Sequence, residues 1–318
     1  MVVCKECGEE FLDESSLHKH LKKHGMTMAD YYVSHHPRYN LLNGELLPFE
    51  NKKQYFSRDF VSASQMVRWF NKENGSKKSK EYAIQKIKDR IKEKKLTKVP
   101  CHLDLRLSDL PTVSTCRKLF GSFGAFSKEI GLEPTYSRGI VAGFFEQDPM
   151  FDKMNILIDT REQKPLSFPV SKSLKLDFGD YTVGGDDYSY TYIDRKSEAD
   201  FCGTMTGGLE RFKKELQRAR EFNAFLYILI EGSVESVKKN HYFRPKTYGK
   251  ACNIKFVWHN MKSLIHEYSD VCQFLFSGGR RASQFLVPRL LYYGKSLWNC
   301  DLQYFIDERL ENKKKAKK

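Results

Sequence analysis

The residues best suited to chemistry lie in the second half of the chain, where acidic side chains accompany apolar stretches. Asp159 ends the stretch NILID, whose apolar run indicates a buried strand that delivers a carboxylate at its carboxyl end. Asp180 lies in GDYTV and Asp194 in YSYTYIDRK, and the turn sequence GGDD between them indicates a hairpin. Because carboxylate oxygens suit Mg²⁺ or Mn²⁺ and Lys196 lies close to Asp194, the pattern predicts a metal site with a lysine beside it.

The register of this hairpin decides whether the acids meet. Side chains alternate along a strand, so Tyr192, Asp194 and Lys196 share one face. A two-residue loop would place Asp180 on the opposite face, whereas a three-residue loop, or an equivalent bulge at Gly179, would place Asp180 opposite Tyr192. Asp180 and Asp194 would then be diagonal neighbours with Cβ atoms roughly 7–8 Å apart, a gap that one metal ion can bridge. We therefore expect the three-residue loop or the equivalent bulge at Gly179.

This arrangement favours hydrolysis of a phosphodiester bond. A hard cation withdraws charge from the phosphoryl oxygens and lowers the pKa of an attacking water. Lys196, on the same face, can orient that water or stabilise the charge that develops on the phosphate. The alternative is a solvated hairpin surface, which we adopt for Asp186 and Asp187 because they lie in the turn. For the ordered set of three acids and a lysine we favour the metal site.

Three motifs in this region, LIDTRE, FGDY and YIDRKSEADF, resemble the successive motifs of the XPF-type nuclease family in the PD-(D/E)xK superfamily. The resemblance implies an α/β restriction-endonuclease-like domain with a mixed central sheet at residues 150–310, which the alternating strand and helix patterns also favour. It implies Mg²⁺ (or Mn²⁺) as cofactor and DNA as substrate, cut to leave 5′-phosphate and 3′-hydroxyl ends. The implied site consists of the metal ligands Asp159, Asp180 and Asp194, the catalytic lysine Lys196, and the supporting residues Arg161, Glu162, Arg195 and Asp200.

Two departures from that family bear on function. Asp194 stands where the family usually has glutamate, and its shorter arm shifts the metal by about one carbon–carbon bond. The sequence has no recognisable tandem helix-hairpin-helix module after the nuclease domain, with which many relatives bind branched DNA and dimerise, so a homodimer is left open. We expect a metal-dependent DNA endonuclease, directed to its target as in phage or mobile-element (homing-type) enzymes. The alternatives are a structure-specific nuclease for branched DNA and a DNA-binding protein that does not cut.

The first 28 residues carry a second set of metal-ligating side chains. Two residues separate Cys4 from Cys7, twelve follow, and three separate His20 from His24. Thiolates and imidazoles at this spacing bind Zn²⁺ tetrahedrally between a β-turn and a helix. The segment resembles a C2H2 zinc finger, which implies a small ββα module at residues 1–28 with structural Zn²⁺. A single finger reads about three base pairs, so it can help to place the protein on DNA, contact another protein or be purely structural.

The middle of the chain is basic and helical. The stretch EYAIQKIKDRIKEKKL has apolar residues at helical spacing, and LPTVSTCRKLFGSFGAFSKEIGLEP indicates two short helices divided by Gly121. The second stretch resembles the small DNA-binding repeat associated with homing endonucleases, which implies an α-helical DNA-binding module at residues 81–135. Its first short helix would present Thr115, Arg117 and Lys118 to a major groove, and Arg211, further along the chain, would approach phosphate. A basic linker with a solvated face is the alternative.

The composition favours a polyanionic partner. The 318 residues carry a formal net charge of +14, and each Lys or Arg near a phosphate releases a condensed counterion. No apolar run is long enough to span a membrane and the start lacks a signal peptide's apolar core, so we expect no membrane partner and a cytoplasmic, nucleoid-associated protein, or a nuclear one in a eukaryote. Residues 29–80 are expected to form a linker or helical region, with polar junctions at 75–80 and 133–139 and a disordered basic tail at 311–318.

Overall fold

The computed structural model describes residues 1–38, 48–56, 75–108, 110–239 and 253–315 of the chain. They form two compact units. The first comprises Met1–Lys94 and Asp109–Ile130, and the second comprises Lys95–Ser108 and Gly131–Lys318. Parts of the predicted linker region at 29–80 and the last three residues of the predicted basic tail lie outside the described residues.

The helices and strands alternate along much of the chain. The α-helices are α1 (Glu14–His20), α2 (Met28–His35), α3 (Lys52–Phe56), α4 (Gly75–Lys94), α5 (His102–Leu107), α6 (Val113–Phe120), α7 (Phe123–Ile130), α8 (Met150–Lys153), α9 (Glu198–Thr204), α10 (Leu209–Glu221), α11 (Val234–Lys238), α12 (Ile254–Glu267), α13 (Arg280–Tyr293) and α14 (Leu302–Lys315). The strands are β1 (Val2–Val3), β2 (Glu10–Phe11), β3 (Ile156–Asp159), β4 (Ser171–Leu174), β5 (Tyr181–Val183), β6 (Thr191–Lys196), β7 (Phe225–Ile230) and β8 (Cys272–Phe276). Among the helices of the described residues, none is both long and apolar enough to cross a membrane.

The first unit begins with a two-stranded antiparallel hairpin, β1–β2, followed by α1. Asp13 caps α1 because its side chain accepts a hydrogen bond from the Ser16 backbone N–H. This ββα arrangement is the one predicted from the spacing of the cysteines and histidines. Helices α2 and α3 extend its core beyond residue 28. The buried apolar side chains of this cluster are Cys4, Leu17, Leu21, Tyr31, Tyr32 and Tyr55.

Three helices, α4, α6 and α7, pack together in the rest of the first unit. Thr112 caps α6 by accepting a hydrogen bond from the Thr115 N–H, and Gly121, with φ 85°, ends it. The tri-helical arrangement expected from the apolar spacing is therefore present. The polar junction expected at residues 75–80 is wrong, because α4 starts at Gly75 and runs through it.

A mixed six-stranded sheet forms the centre of the second unit, in the order β4-β3-β5-β6-β7-β8. Strand β5 is antiparallel to both of its neighbours, β3 and β6, whereas β6, β7 and β8 run parallel to one another. Strands β7 and β8 are buried along their whole length, since α9, α10 and α12 cover one face of the sheet and α8, α13 and α14 cover the other. The predicted mixed sheet flanked by helices is confirmed.

Two segments expected outside the α/β domain belong to its unit. Helix α5 is joined to it by the His102 backbone N–H, which donates to Asp301 at 2.7 Å. The junction expected at 133–139 is ordered, because the Thr135 N–H donates to the Val99 carbonyl at 3.0 Å and Tyr136 is buried in the core. At the other end, α14 continues to Lys315, so the predicted disordered tail begins as helix.

Candidate active site and Cys/His cluster

The sheet brings the predicted acids to one edge. Strand β3 ends at Asp159, and the antiparallel β5 starts directly after Asp180, so both acids lie at the carboxyl end of β3. The Asp159 backbone N–H donates to the Asp180 carbonyl at 2.8 Å. Asp194 and Lys196 lie at the carboxyl end of β6, on the far side of β5, and the Arg195 backbone N–H donates to the Asp180 carboxylate at 2.7 Å. The three acids therefore come from adjacent strands.

The expected hairpin register is wrong by two residues. Tyr181 pairs with Ile193, whereas the expected register pairs it with Thr191, and Asp180 lies just outside this pairing, where its backbone N–H donates to the Ile193 carbonyl at 2.7 Å. The longer connection is the physical cause: it contains a 3₁₀ turn, Gly185–Asp187, and continues through Tyr190, whose φ of 58° keeps it out of the strand. The Asp180 carboxylate nevertheless lies close enough to Asp194 for that carboxylate to raise its pKa.

Asp180, which is half-buried, and Asp194, which is buried, are neighbouring acids beside one ammonium group. Burial, and next the carboxylate of Asp194, raise the pKa of Asp180 to about 7. Asp194 is only 7% exposed, and its two oxygens lie 2.7 Å and 3.0 Å from Lys196 Nζ. Burial would by itself lower the pKa of Lys196, but the Asp194 carboxylate outweighs it and the pKa is raised. Burial and the neighbouring carboxylate therefore favour the neutral form of Asp180.

Gly179 allows Asp180 to lie this close to β6. Its φ is 55°, and a Cβ at this position would lie 2.7 Å from the Ile193 carbonyl oxygen. That separation is far inside van der Waals contact and involves backbone, which cannot move aside cheaply. The glycine of the GDY motif therefore has a steric reason to precede the acid.

Asp159 lies where the sequence places it, but its carboxylate holds other protein groups. It accepts hydrogen bonds from the Arg161 backbone N–H at 2.7 Å, from Arg161 Nε and Nη2 at 2.7 Å and 3.0 Å, and from the Leu176 N–H at 2.7 Å. The Arg161 side-chain bonds are the main reason that the pKa of Asp159 falls to about 2. Asp159 therefore anchors Arg161 and Leu176, and Leu176 begins the segment that leads to Asp180.

Replacing Asp159 with asparagine is expected to lower the free energy of unfolding by about 1–3 kcal/mol at pH 6, since an amide accepts on only one of the two bonded positions. The pKa of Asp159 is about 2 in the folded chain, below its ordinary value of 3.8. The stabilisation by the charged Asp159 carboxylate is therefore complete above about pH 4 and is lost as the pH falls toward 2. Urea denaturation at pH 6 and pH 3 should therefore show a smaller gap between variant and wild type at pH 3. Asp177→Asn, at an exposed position, is the control; an equal loss in both variants contradicts the assignment.

A buried ion-pair network lies on the other face of β6. Arg195 donates to Glu162 at 2.9 Å and to Glu231, just after β7, at 2.9 Å. Arg280 lies 3.8 Å from the second Glu231 oxygen. The network ties the loop after β3 to the ends of β6 and β7, which gives Glu162 and Arg195 a positioning role. Sequence reasoning found no partner for Glu231, because the arginine that pairs with it is distant in sequence.

Glu215, also left without a role by the sequence, lies beside the acids. It is half-buried on α10, and its pKa is raised by burial first and then by the Asp194 carboxylate. Lys196 and Arg218 oppose that rise. A fourth carboxylate therefore acts electrostatically on the same lysine and aspartate.

The remaining predicted residues occupy varied surroundings. Asp200 belongs to the start of α9, where Ser197 donates to it at 2.6 Å, and is exposed. Arg211 is exposed on α10, and Arg117 and Lys118 are exposed on α6. Thr115 is only 4% exposed because it packs inside the first turn of α6 against its cap, so its expected contact with DNA is wrong.

The four predicted zinc ligands come together at the hairpin and α1. Cys7 Sγ lies 3.2 Å from His20 Nε2, Cys4 Sγ lies 3.8 Å from His24 Nε2, and the two Nε2 atoms lie 2.9 Å apart. A tetrahedral Zn²⁺ with bonds of about 2.0–2.3 Å separates its ligands by roughly 3.3–3.8 Å. The Cys4–His24 distance lies in this range and the Cys7–His20 distance just below it, whereas the two imidazoles lie closer together, so the donor types suit that ion and a small separation of His20 from His24 would admit it. Within the described residues, this is the one group of three or more such side chains whose ligand atoms all lie within 4.8 Å of one another.

The acids at the sheet edge suit a different ion. They offer oxygen ligands, and the repulsion between Asp180 and Asp194, which contributes to the raised pKa of Asp180, is what a divalent cation between them would relieve. Asp159 would have to exchange its bonds to Arg161 before serving as a third ligand. The oxygen ligands therefore fit Mg²⁺ or Mn²⁺, which would be held mainly by Asp180 and Asp194.

Comparison with known proteins identifies the region that contains this edge. Residues 158–276 match an ERCC4 domain. The match covers the three acids, Lys196, Glu162, Arg195, Glu215 and Glu231. Two solved structures are similar: XPF from Aeropyrum pernix (17% identity, 45% of this chain and 68% of that chain, TM-score 0.32) and XPF from Aeropyrum pernix in complex with DNA (18% identity, 45% and 65%, TM-score 0.33). No curated protein matches the chain at a significant level.

Proposed function

We propose that the chain is a Mg²⁺- or Mn²⁺-dependent DNA endonuclease that hydrolyses phosphodiester bonds at the edge of the ERCC4-type sheet. The observation that carries the proposal is the pair of neighbouring carboxylates, Asp180, which accepts from the Arg195 N–H, and the buried Asp194, with Lys196 within 3.0 Å of the second. Two acids from neighbouring strands and a lysine on the same face form a site for one hard cation and one phosphate.

The side chains around that pair have separable tasks. A bound divalent cation supplies Lewis acidity and lowers the pKa of water. Asp180 and Asp194 hold it, and Lys196 is placed to orient the water or to donate to a phosphate oxygen. Arg161 is 65% exposed in its side chain while its guanidinium is fixed by Asp159, so it can contact the DNA backbone without leaving its anchor.

The first unit supplies the DNA-binding part of the proposal. Helix α6 exposes Arg117 and Lys118, and the formal net charge of the chain is +14. Changing both residues to alanine is expected to weaken DNA binding several-fold at low salt and to flatten the dependence of log K on log salt by about one to two. Fluorescence anisotropy across a salt series measures both; Ser114→Ala, an exposed α6 neighbour without charge, should change neither. An unaltered salt slope in the double variant removes α6 from the interface.

Cleavage of defined DNA tests the proposed activity and its substrate class. Linear duplex, flap and four-way junction DNA are incubated with the protein and either Mg²⁺ or EDTA. We expect endonucleolytic products with Mg²⁺ alone. Preferential cutting of flaps or junctions assigns the enzyme to branched DNA, whereas cutting of duplex at discrete positions favours target-directed cleavage. Absence of products with every substrate supports a DNA-binding protein instead.

A further inference from the structure

Helix α10 presents one face to the candidate active site. Phe212, Glu215 and Arg218 are spaced three residues apart, so they lie on the same side of the helix. Lys196 Nζ lies 5.6 Å from the centre of the Phe212 ring. Arg218 donates to the Asp177 carbonyl at 2.6 Å. Glu215 lies between these two contacts, and it therefore faces the space between Lys196 and the segment that leads to Asp180.

The electrostatic partners of Glu215 agree with that placement. Asp194, Lys196, Arg218 and the Gly179 backbone all act on its carboxyl group. Glu215 in turn acts on Lys196. The Lys196 ammonium itself is hydrogen-bonded to Asp194.

A divalent cation at the site would compete with Lys196 for the Asp194 carboxylate. Its ammonium contacts both Asp194 oxygens, and its side chain is only 15% exposed, so water cannot fully replace that partner. If Asp194 bound a divalent cation, its oxygens would be shared between the cation and Lys196, and these two positive charges would repel each other. Asp180 is the other proposed ligand and already accepts from the Arg195 N–H. Glu215 is the neighbouring carboxylate that neither of these tasks occupies.

We propose that Glu215 is a positioning residue that receives the Lys196 ammonium when Asp194 binds the divalent cation. This rests on the proposed function. Transfer between two carboxylates keeps the buried ammonium paired at every stage, lowers the free-energy cost of cation binding and retains Lys196 at the site. Glu215 acts through Lys196 and not as a ligand.

Binding of Mn²⁺ to the full, zinc-loaded chain, followed by electron paramagnetic resonance without DNA, tests this role. Glu215→Gln keeps the shape of the side chain and removes its charge, and we expect about tenfold weaker Mn²⁺ binding, as for other groups that support metal ligands. Glu215→Asp keeps the charge and should lose less. Glu210→Gln, on the same helix with an 81% exposed side chain, should bind as wild type does. Asp194→Asn gives the background from any other site, and thermal unfolding confirms that each variant is folded.

A second background separates action through Lys196 from simple attraction between Glu215 and the cation. In a Lys196→Met chain, Glu215→Gln should change Mn²⁺ affinity by less than about twofold, because there is no ammonium to receive. An undiminished tenfold loss there, or wild-type affinity in Glu215→Gln alone, overturns the role of Glu215. If the wild-type chain binds no Mn²⁺ above the Asp194→Asn background, the proposed metal-dependent function itself is wrong.

Discussion

Replacing Asp194 with asparagine is expected to slow DNA cleavage by about a thousandfold, equivalent to about 4 kcal/mol of transition-state stabilisation. The carboxylate has two tasks at once, as a proposed cation ligand and as the 2.7 Å partner of Lys196. An amide keeps the volume but lacks the charge, so the cation binds weakly and the lysine loses its counter-charge. DNA binding by the first unit should be unaffected. Single-turnover rates on the preferred substrate measure the first effect, and fluorescence anisotropy measures the second.

The control for this variant comes from the same hairpin. Asp186 lies in the 3₁₀ turn at the opposite end of β6 and is exposed, so Asp186→Asn should cleave as the wild type does. Raising Mg²⁺ or substituting Mn²⁺ should recover part of the Asp194→Asn rate if weakened cation binding is the cause. Equal rates in wild type and Asp194→Asn would exclude Asp180 and Asp194 as the catalytic acids. The ERCC4-type domain would then have a DNA-binding role.

The sequence predicted different roles for Asp186, in the turn, and Asp194, on the strand, but it could predict only part of the site. Alternation along a strand is local, so the shared face of Tyr192, Asp194 and Lys196 followed from the sequence alone. The register of the hairpin could not be predicted, because the GGDD turn is compatible with several loop lengths. Tyr190 has a positive φ although it is not a glycine, and nothing in the sequence indicates this. Only the three-dimensional structure shows that Tyr181 pairs with Ile193 and that the Asp180 carboxylate accepts from the Arg195 N–H.

The residues that the sequence missed act across elements. Glu231 follows β7 and pairs with Arg195 on β6, a contact set by strand order rather than by spacing. Glu215 did leave a signal, since it directly precedes the buried Leu216 and lies three residues after the buried Phe212. A carboxylate at the border of an apolar helix face next to a predicted lysine is a reason to examine it. Thr115 was expected to face DNA as part of α6, whereas its contact with the capping Thr112 inside the first turn leaves it buried.

Removal of Zn²⁺ from the Cys/His cluster is expected to unfold the hairpin and α1. Strands of two residues are too short to persist alone, and the free energy of structural zinc binding in such modules, about 10–16 kcal/mol, is then folding free energy. Amide hydrogen exchange with and without a strong chelator should show loss of protection within α1. Amides of β7 and β8 in the second unit should keep their protection, which makes them an internal reference in the same sample.

The ligands themselves are tested by zinc content. We expect the wild type to purify with one zinc ion per chain and a chain carrying both Cys4→Ser and Cys7→Ser to purify without it, because two hydroxyls cannot replace two thiolates. His35→Gln is the matched control: His35 lies on α2, outside the cluster, and pairs with Glu6 at 2.7 Å. One zinc per chain in the double serine variant would contradict the cluster. Helix α2 adds Tyr31 and Tyr32 to the core over α1, so partial protection of α2 after chelation would show that packing holds this helix while the metal holds the hairpin.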